Sequence, residues 1–157
     1  MSFKIDILPG NAGFLPGNED VRLTIATGVT VTQGGIYQVD LSTATEANHG
    51  VASEVVEVSA LDALSPENFF VCALEDGAAG ETKKFRFRGY VEAQMKTAVA
   101  GTAGLPLAAD ATETLAGGEV EGAKIIAVAP VTISAGEKGM VWFDGSGFGT
   151  YALLGTA

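Results

Sequence analysis

AGETKKFRFRG, residues 79–89, and AGEKGMVWFDG, residues 135–145, share one outline. A shift of 56 lays residues 69–89 on 125–145 with six identities in 21 positions. Roughly two would arise by chance at ordinary residue usage. Each copy runs from an apolar strand through a small-residue turn with Gly-Glu to an alternating strand and a Gly. This order specifies a strand–turn–strand unit, a β-hairpin or two-strand corner, with Gly80 and Gly136 supplying the turn backbone.

The first copy holds four of the nine basic residues. Side chains alternate along a strand, so Lys84, Arg86 and Arg88 share one face and Phe85 and Phe87 the other. The basic face reads either as a solvated strand or charge-guarded edge, or as a partner-binding stripe for an acidic protein surface. It suits nucleic acid less well, because stacking aromatics would have to share that face. In the second copy the same places hold Met140, Trp142 and Asp144. Met140 and Trp142 are expected to be core; if exposed, they form an apolar contact patch.

Outward from these units, strand signals dominate. Residues 22–27, 29–31, 36–41, 54–59, 69–74, 83–88, 124–129 and 140–143 carry alternation or strand-forming runs. Gly, Asn or Asp clusters separate most of them. Residues 61–64 and 92–96 could each make a helical turn. The expected fold is all-β: an antiparallel β-sandwich or barrel-like domain over 21–157, with possible repeat units at 69–89 and 125–145. Residues 1–20 read as an extended arm. Leu-Pro-Gly-Asn occurs there twice, at 8–11 and 15–18, and Pro-Gly is a type II turn signal. Phe14 and Leu15 are the arm's expected anchors on another chain.

The chain has 157 residues and a formal net charge of −10. That acidity disfavours nucleic acid and anionic membranes. The start lacks the pattern of a signal peptide, and no apolar run reaches membrane-spanning length. Cys72 sits in the apolar run FVCAL and is expected to be a buried structural thiol. One Cys and one His, His49, cannot build a His/Cys zinc cluster. A Cys72–His49 pair has no local signature. GSGFG at 145–149 lacks the third Gly of a dinucleotide loop, and Ala123 stands where a P-loop needs Lys. The sequence therefore predicts no catalytic, metal or cofactor residues and no enzyme.

Residues 123–145, AKIIAVAPVTISAGEKGMVWFDG, preceded by GLPLAAD at 104–110, resemble the head-decoration (cement) proteins of tailed bacteriophages. Ala127 stands where that family usually has Gly. The resemblance implies a non-enzymatic, β-rich virion protein, made in the host cytoplasm, that sits on the outer capsid surface and clamps neighbouring capsomers. Its implied partners are the major capsid protein and further copies of itself, as a trimer or dimer. The alternative is a carbohydrate-binding or tail-associated adhesin module, with Tyr37, Tyr90, Trp142 or Tyr151 stacking on sugars.

Overall fold

The computed structural model describes residues 17–40, 54–58, 68–117 and 122–150. The expectations for Phe14, Leu15, His49, residues 61–64 and Tyr151 lie outside the described residues. Every regular element within them is a strand: β1 Glu19–Ile25, β2 Ile36–Asp40, β3 Glu54–Val56, β4 Phe69–Ala73, β5 Thr82–Gln94, β6 Pro106–Asp110, β7 Thr114–Gly117, β8 Lys124–Ile125, β9 Ala127–Val128, β10 Lys138–Asp144 and β11 Gly149–Thr150. The fold is all-β. Glu19 and Asp20, assigned to the arm on sequence, pair with β5 as the start of β1.

Nine of these strands pair in the order β1-β3-β2-β4-β5-β10-β9-β6-β7, β8 and β11 pair with each other, and β1 pairs again with β5. That second pairing closes β1, β3, β2, β4 and β5 into a circuit, the first lobe. Strands β5, β10, β9, β6 and β7 form a second circuit, brought together by a parallel bridge between Met95 and Leu115. The sheet is mixed, because β1 and β3 run parallel, where antiparallel pairing throughout was expected.

Strand β5 belongs to both lobes. Its first half pairs with β1 and β4, and its second half pairs with β10. Residues 92–96, expected as a helical turn, complete this strand and continue into the Met95 bridge. Val91, Ala93 and Met95 are buried while Glu92 is exposed. This period-2 burial and the ladder to β10 override the helix-favouring composition of EAQMK.

The two lobes are copies in their pairing. Ile25 lies parallel to Val55 in the first, and Met95 to Leu115 in the second. Val39 faces Val55 as Ala109 faces Leu115. Ile36 faces Cys72 as Pro106 faces Val128. Cys72 faces Arg86 as Val128 faces Trp142. Val21 faces Phe85 as Val91 faces Val141. The repeat visible at 69–89 and 125–145 is thus the second part of a larger one. Its first part relates residues 21–40 to 91–110.

Each lobe has its own apolar interior. Ile25, Tyr37, Val55, Val71 and Phe85 fill the first. Their equivalents Met95, Leu107, Leu115, Ala127 and Val141 fill the second. Ile36, Val58, Phe70 and Cys72 of the first lobe join the second lobe's cluster, and this welds the two together.

Tight turns explain why Gly recurs with the outline. Four turns, at 32–35, 78–81, 102–105 and 134–137, carry a bond from the fourth N–H to the first carbonyl at 2.9–3.1 Å. The third residue in each is a Gly at positive φ: Gly34, Gly80, Gly104 and Gly136. Type II turns demand this conformation. A further pair of turns, 26–29 and 96–99, has Gly28 at φ 83 and its equivalent Ala98 at φ 70. A Cβ in that region costs about 1–2 kcal/mol. Ala98 is exposed, so removing its methyl sacrifices little packing. Ala98→Gly is expected to raise stability by about 1 kcal/mol in chemical denaturation, and Gly28→Ala to lower it similarly.

Asp110, at the end of β6, accepts bonds from Lys96 Nζ at 2.8 Å and from the Thr112 hydroxyl and N–H at 2.7 and 3.1 Å. Burial works to raise its pKa, but these donors and the Lys96 charge together outweigh burial and hold it below the usual 3.8. A lowered folded value stabilises the fold above the unfolded value, and the benefit is lost as pH falls through the folded one. Asp110→Asn is therefore expected to shrink the loss of stability on acidification below pH 3.8, as followed by denaturation midpoints from pH 6 downward.

Candidate functional surface

Alternation on β5 and β10 sorts side chains between the lobe interiors and an outer face. Phe85, Val91, Val141 and Phe143 take interior positions and are buried. Lys84, Arg86, Arg88, Tyr90 and Glu92 of β5, and Met140, Trp142 and Asp144 of β10, face outward. Phe87 is half-buried against the first lobe's core and lies 6.2 Å from the Phe69 ring.

The first-lobe part of this face is charged and internally tied. Arg86 grips Asp20 with both arms of its fork, Nε to Oδ1 at 2.7 Å and Nη2 to Oδ2 at 3.1 Å. Its Nη1 donates to the Tyr90 carbonyl at 2.5 Å. Arg88 reaches Asp144 at 3.2 Å and Glu19 at 3.4 Å. Asp144 is itself held by Ser146, whose hydroxyl and N–H donate to Oδ1 at 2.6 and 3.0 Å. Lys84 is exposed, and its backbone N–H donates to Glu75. Two of the three basic residues expected to bind a partner thus spend their charge within the chain. Nor is β5 a guarded edge: β1, β4 and β10 pair with it.

The second-lobe part is mainly apolar, with the exposed Glu92 opposite Met140. Met140 is 51 % exposed and Trp142 half-buried. The expectation that both are core is therefore corrected. Val141 and Phe143, at 0 % exposure, occupy the interior positions, and parity sends their neighbours outward. Tyr90 meets Trp142 edge-on, with centroids 5.0 Å apart and planes at 71°. Trp142 stands opposite Val128, and Val128 opposite Pro106. One row, Tyr90–Trp142–Val128–Pro106, thus crosses β5, β10, β9 and β6. Met140 flanks it and shares a shallow groove with Pro130 and the 72 % exposed Val131. Leu105, 47 % exposed, precedes Pro106. Val128 and Pro106 escaped sequence reasoning. Their signal was the cross-strand register, which two short segments do not reveal.

Cys72 has no access to solvent, and burial pushes its thiol up to about 12. Its Sγ lies 3.8 Å from the Glu92 carbonyl. A thiol in this state is a packing group at neutral pH, because the nucleophile is the thiolate. The Tyr37 hydroxyl is tied to the backbone of Thr32 and Thr30, and burial raises its pKa.

No family model matches the chain, and the searches of curated proteins and of solved structures likewise return no match. The surface must therefore be read from its own chemistry. It offers an exposed apolar row on one lobe and, on the other, two arginines paired within the chain beside an exposed lysine.

Arg86→Gln leaves the Asp20 carboxylate without its fork and is expected to cost about 1 kcal/mol of stability at low salt, less at high salt. Lys84→Gln is expected to stay within about 0.5 kcal/mol. Denaturation across a salt series checks both.

Proposed function

We propose that this chain is a virion structural protein that binds the outer surface of a bacteriophage capsid and cements neighbouring capsomers. The outward apolar row of the second lobe carries the reading. Aromatic residues and Met are among the side chains enriched where proteins meet, and Trp and Tyr are among those enriched in binding hot spots. The resemblance of residues 104–110 and 123–145 to decoration proteins supplies the kinds of partner, a major capsid protein and further copies of the chain itself.

The arm adds reach. The chain enters β1 at Glu19, opposite Arg88, and Asn18 lies against Gly89, the residue before the row's Tyr90. Sixteen residues ahead of Gly17 span up to about 55 Å when extended. In this proposal Phe14 and Leu15 anchor the arm on an adjoining subunit, and the β-domain holds the capsid surface.

The carbohydrate reading finds less support. A sugar stacks on an open aromatic face, whereas the Tyr90 and Trp142 rings stand at 71° and Tyr37 is buried.

The test uses phage particles from the source of this chain. Antibodies against the chain are expected to decorate the outer surface of intact particles in immunogold images. Particles assembled without it are expected to release their genome at lower temperature. Met140→Glu and deletion of residues 1–16 are each expected to reduce occupancy at least tenfold. Particles that carry none of the chain, or binding of a glycan array lost with Trp142→Ala, would overturn the proposal.

A further inference from the structure

The duplicated architecture builds the same outer row twice. In the second lobe it reads Tyr90–Trp142–Val128–Pro106. The equivalent row of the first lobe, in the same register, reads Asp20–Arg86–Cys72–Ile36. What covers the first row is visible. The second lobe sits on Cys72 and Ile36 and takes both to 0 % exposure. It meets them with backbone as well as side chains. Gln94 N–H donates to the Gly34 carbonyl at 2.9 Å, Ile36 N–H donates to the Glu113 carbonyl at 3.0 Å, and the Cys72 thiol faces the Glu92 carbonyl.

The second row has the same frame and no third lobe in the described chain. Val128 and Pro106 stay half-exposed, and Tyr90, Met140, Val131 and Leu105 are exposed around them. We infer that a second copy of this chain covers this row, its first lobe sitting on Val128 and Pro106 as the second lobe sits on Cys72 and Ile36. The inference rests on reading the row as a contact surface, as proposed above, and names its occupant.

Equivalence also sets the polarity. Glu92, which meets Cys72, corresponds to Arg22 of the first lobe, just as Val91 corresponds to Val21 in the duplicated register. Val128 of one copy therefore meets the stretch of β1 around Arg22 in the next. Two different surfaces meet, so the contact is head-to-tail, and copies joined this way close into a small ring or extend as a filament. Arg22 and Thr24 are exposed in the chain, Thr24 with its hydroxyl on that of Thr82, so this stretch of β1 presents its side chains to solvent.

The experiment uses the full chain. Sedimentation velocity over a concentration series is expected to show self-association. The double variant Tyr90→Asp/Trp142→Arg installs the first lobe's own Asp20–Arg86 arrangement on the second row. It is expected to keep the β-sheet circular dichroism signal and to weaken association at least tenfold. Should that variant fail to fold, Met140→Lys, at an exposed site whose first-lobe equivalent is Lys84, gives the same readout. Polarity is checked by mixing a Val128→Cys chain with an Arg22→Cys chain and adding a short bis-maleimide. Cross-linked dimer is expected in the mixture and not from either chain alone. Three results would each overturn the inference: a chain monomeric at every concentration, association indifferent to these substitutions, or cross-linking within the Val128→Cys chain alone. So would a monomer whose Met140→Cys thiol becomes reactive once residues 1–16 are removed, since the chain's own arm would then be the cover. Self-association through the row without any binding to particles removes the capsid reading and leaves this inference standing. Particle binding by a strict monomer does the reverse.

Discussion

The fold depends on one strand serving two lobes. A β-strand has two edges, and β5 needs three partners. It meets this demand by exchanging neighbours midway. The exchange falls at Arg88, which lies opposite both Glu19 of β1 and Asp144 of β10. Where β4 and β5 part, Gly145 fills the opening with backbone alone. Its N–H donates to Phe87 at 2.8 Å and its carbonyl accepts from Phe70 at 3.0 Å. A Cβ there would stand 1.8 Å from the Phe70 oxygen. No side chain fits, and a wider gap would leave buried backbone groups without partners, at a cost of about 1–3 kcal/mol each. The Arg88–Asp144–Ser146 bonds clamp the same junction from the solvent side.

Sharing β5 sets the division of the core. At three of the five matched interior positions the first lobe carries the clearly larger side chain. Tyr37, Val71 and Phe85 correspond to Leu107, Ala127 and Val141. The second lobe makes up the deficit from outside its own circuit, taking Ile36, Phe70 and Cys72 of the first into its cluster. The smaller interior and the covered row are one arrangement. The second lobe closes its core with the first lobe's outer face, and separating the lobes would expose both.

Much of this was legible where alternation is strong. The KKFRFR and MVWF runs show their parity directly, and the turns at Gly80 and Gly136 follow from their chemistry. Strands β6 and β7, PLAAD and TLAG, were not, because Ala and Pro carry little strand preference. They are held by register, Asp110 against Thr114 and Leu107 against Gly117. EAQMK misled for the converse reason, its composition favouring helix while its place is fixed by β10. The relation between residues 21–40 and 91–110 keeps six identities in twenty positions, including Val29/Val99, Thr32/Thr102, Gly34/Gly104 and Asp40/Asp110. These are mostly turn residues, so a reader looking for strands passes over them. Parity placed Met140 and Trp142 on one face with Asp144 but could not tell which face was buried. That depends on β5 and β9, whose positions no local pattern records.

The two outer rows show what each lobe's surface must face. In the first, the covered end is apolar, Ile36 and Cys72, and the open end is a charge pair, Arg86 and Asp20, satisfied by its own fork. That is how a row is built when half of it meets protein and half meets water. The second row shows no such division. Pro106 and Val128 stand where the covered end would be, and Trp142 and Tyr90 replace the charge pair. Two aromatics in place of an ion pair give up hydration that a water-facing strand would keep. They gain where the surface is dried, since rings of this size bury about 150–250 Å² each at roughly 25 cal/mol per Å². On this ground the second row is suited to contact along its whole length, whereas half of the first stays wet.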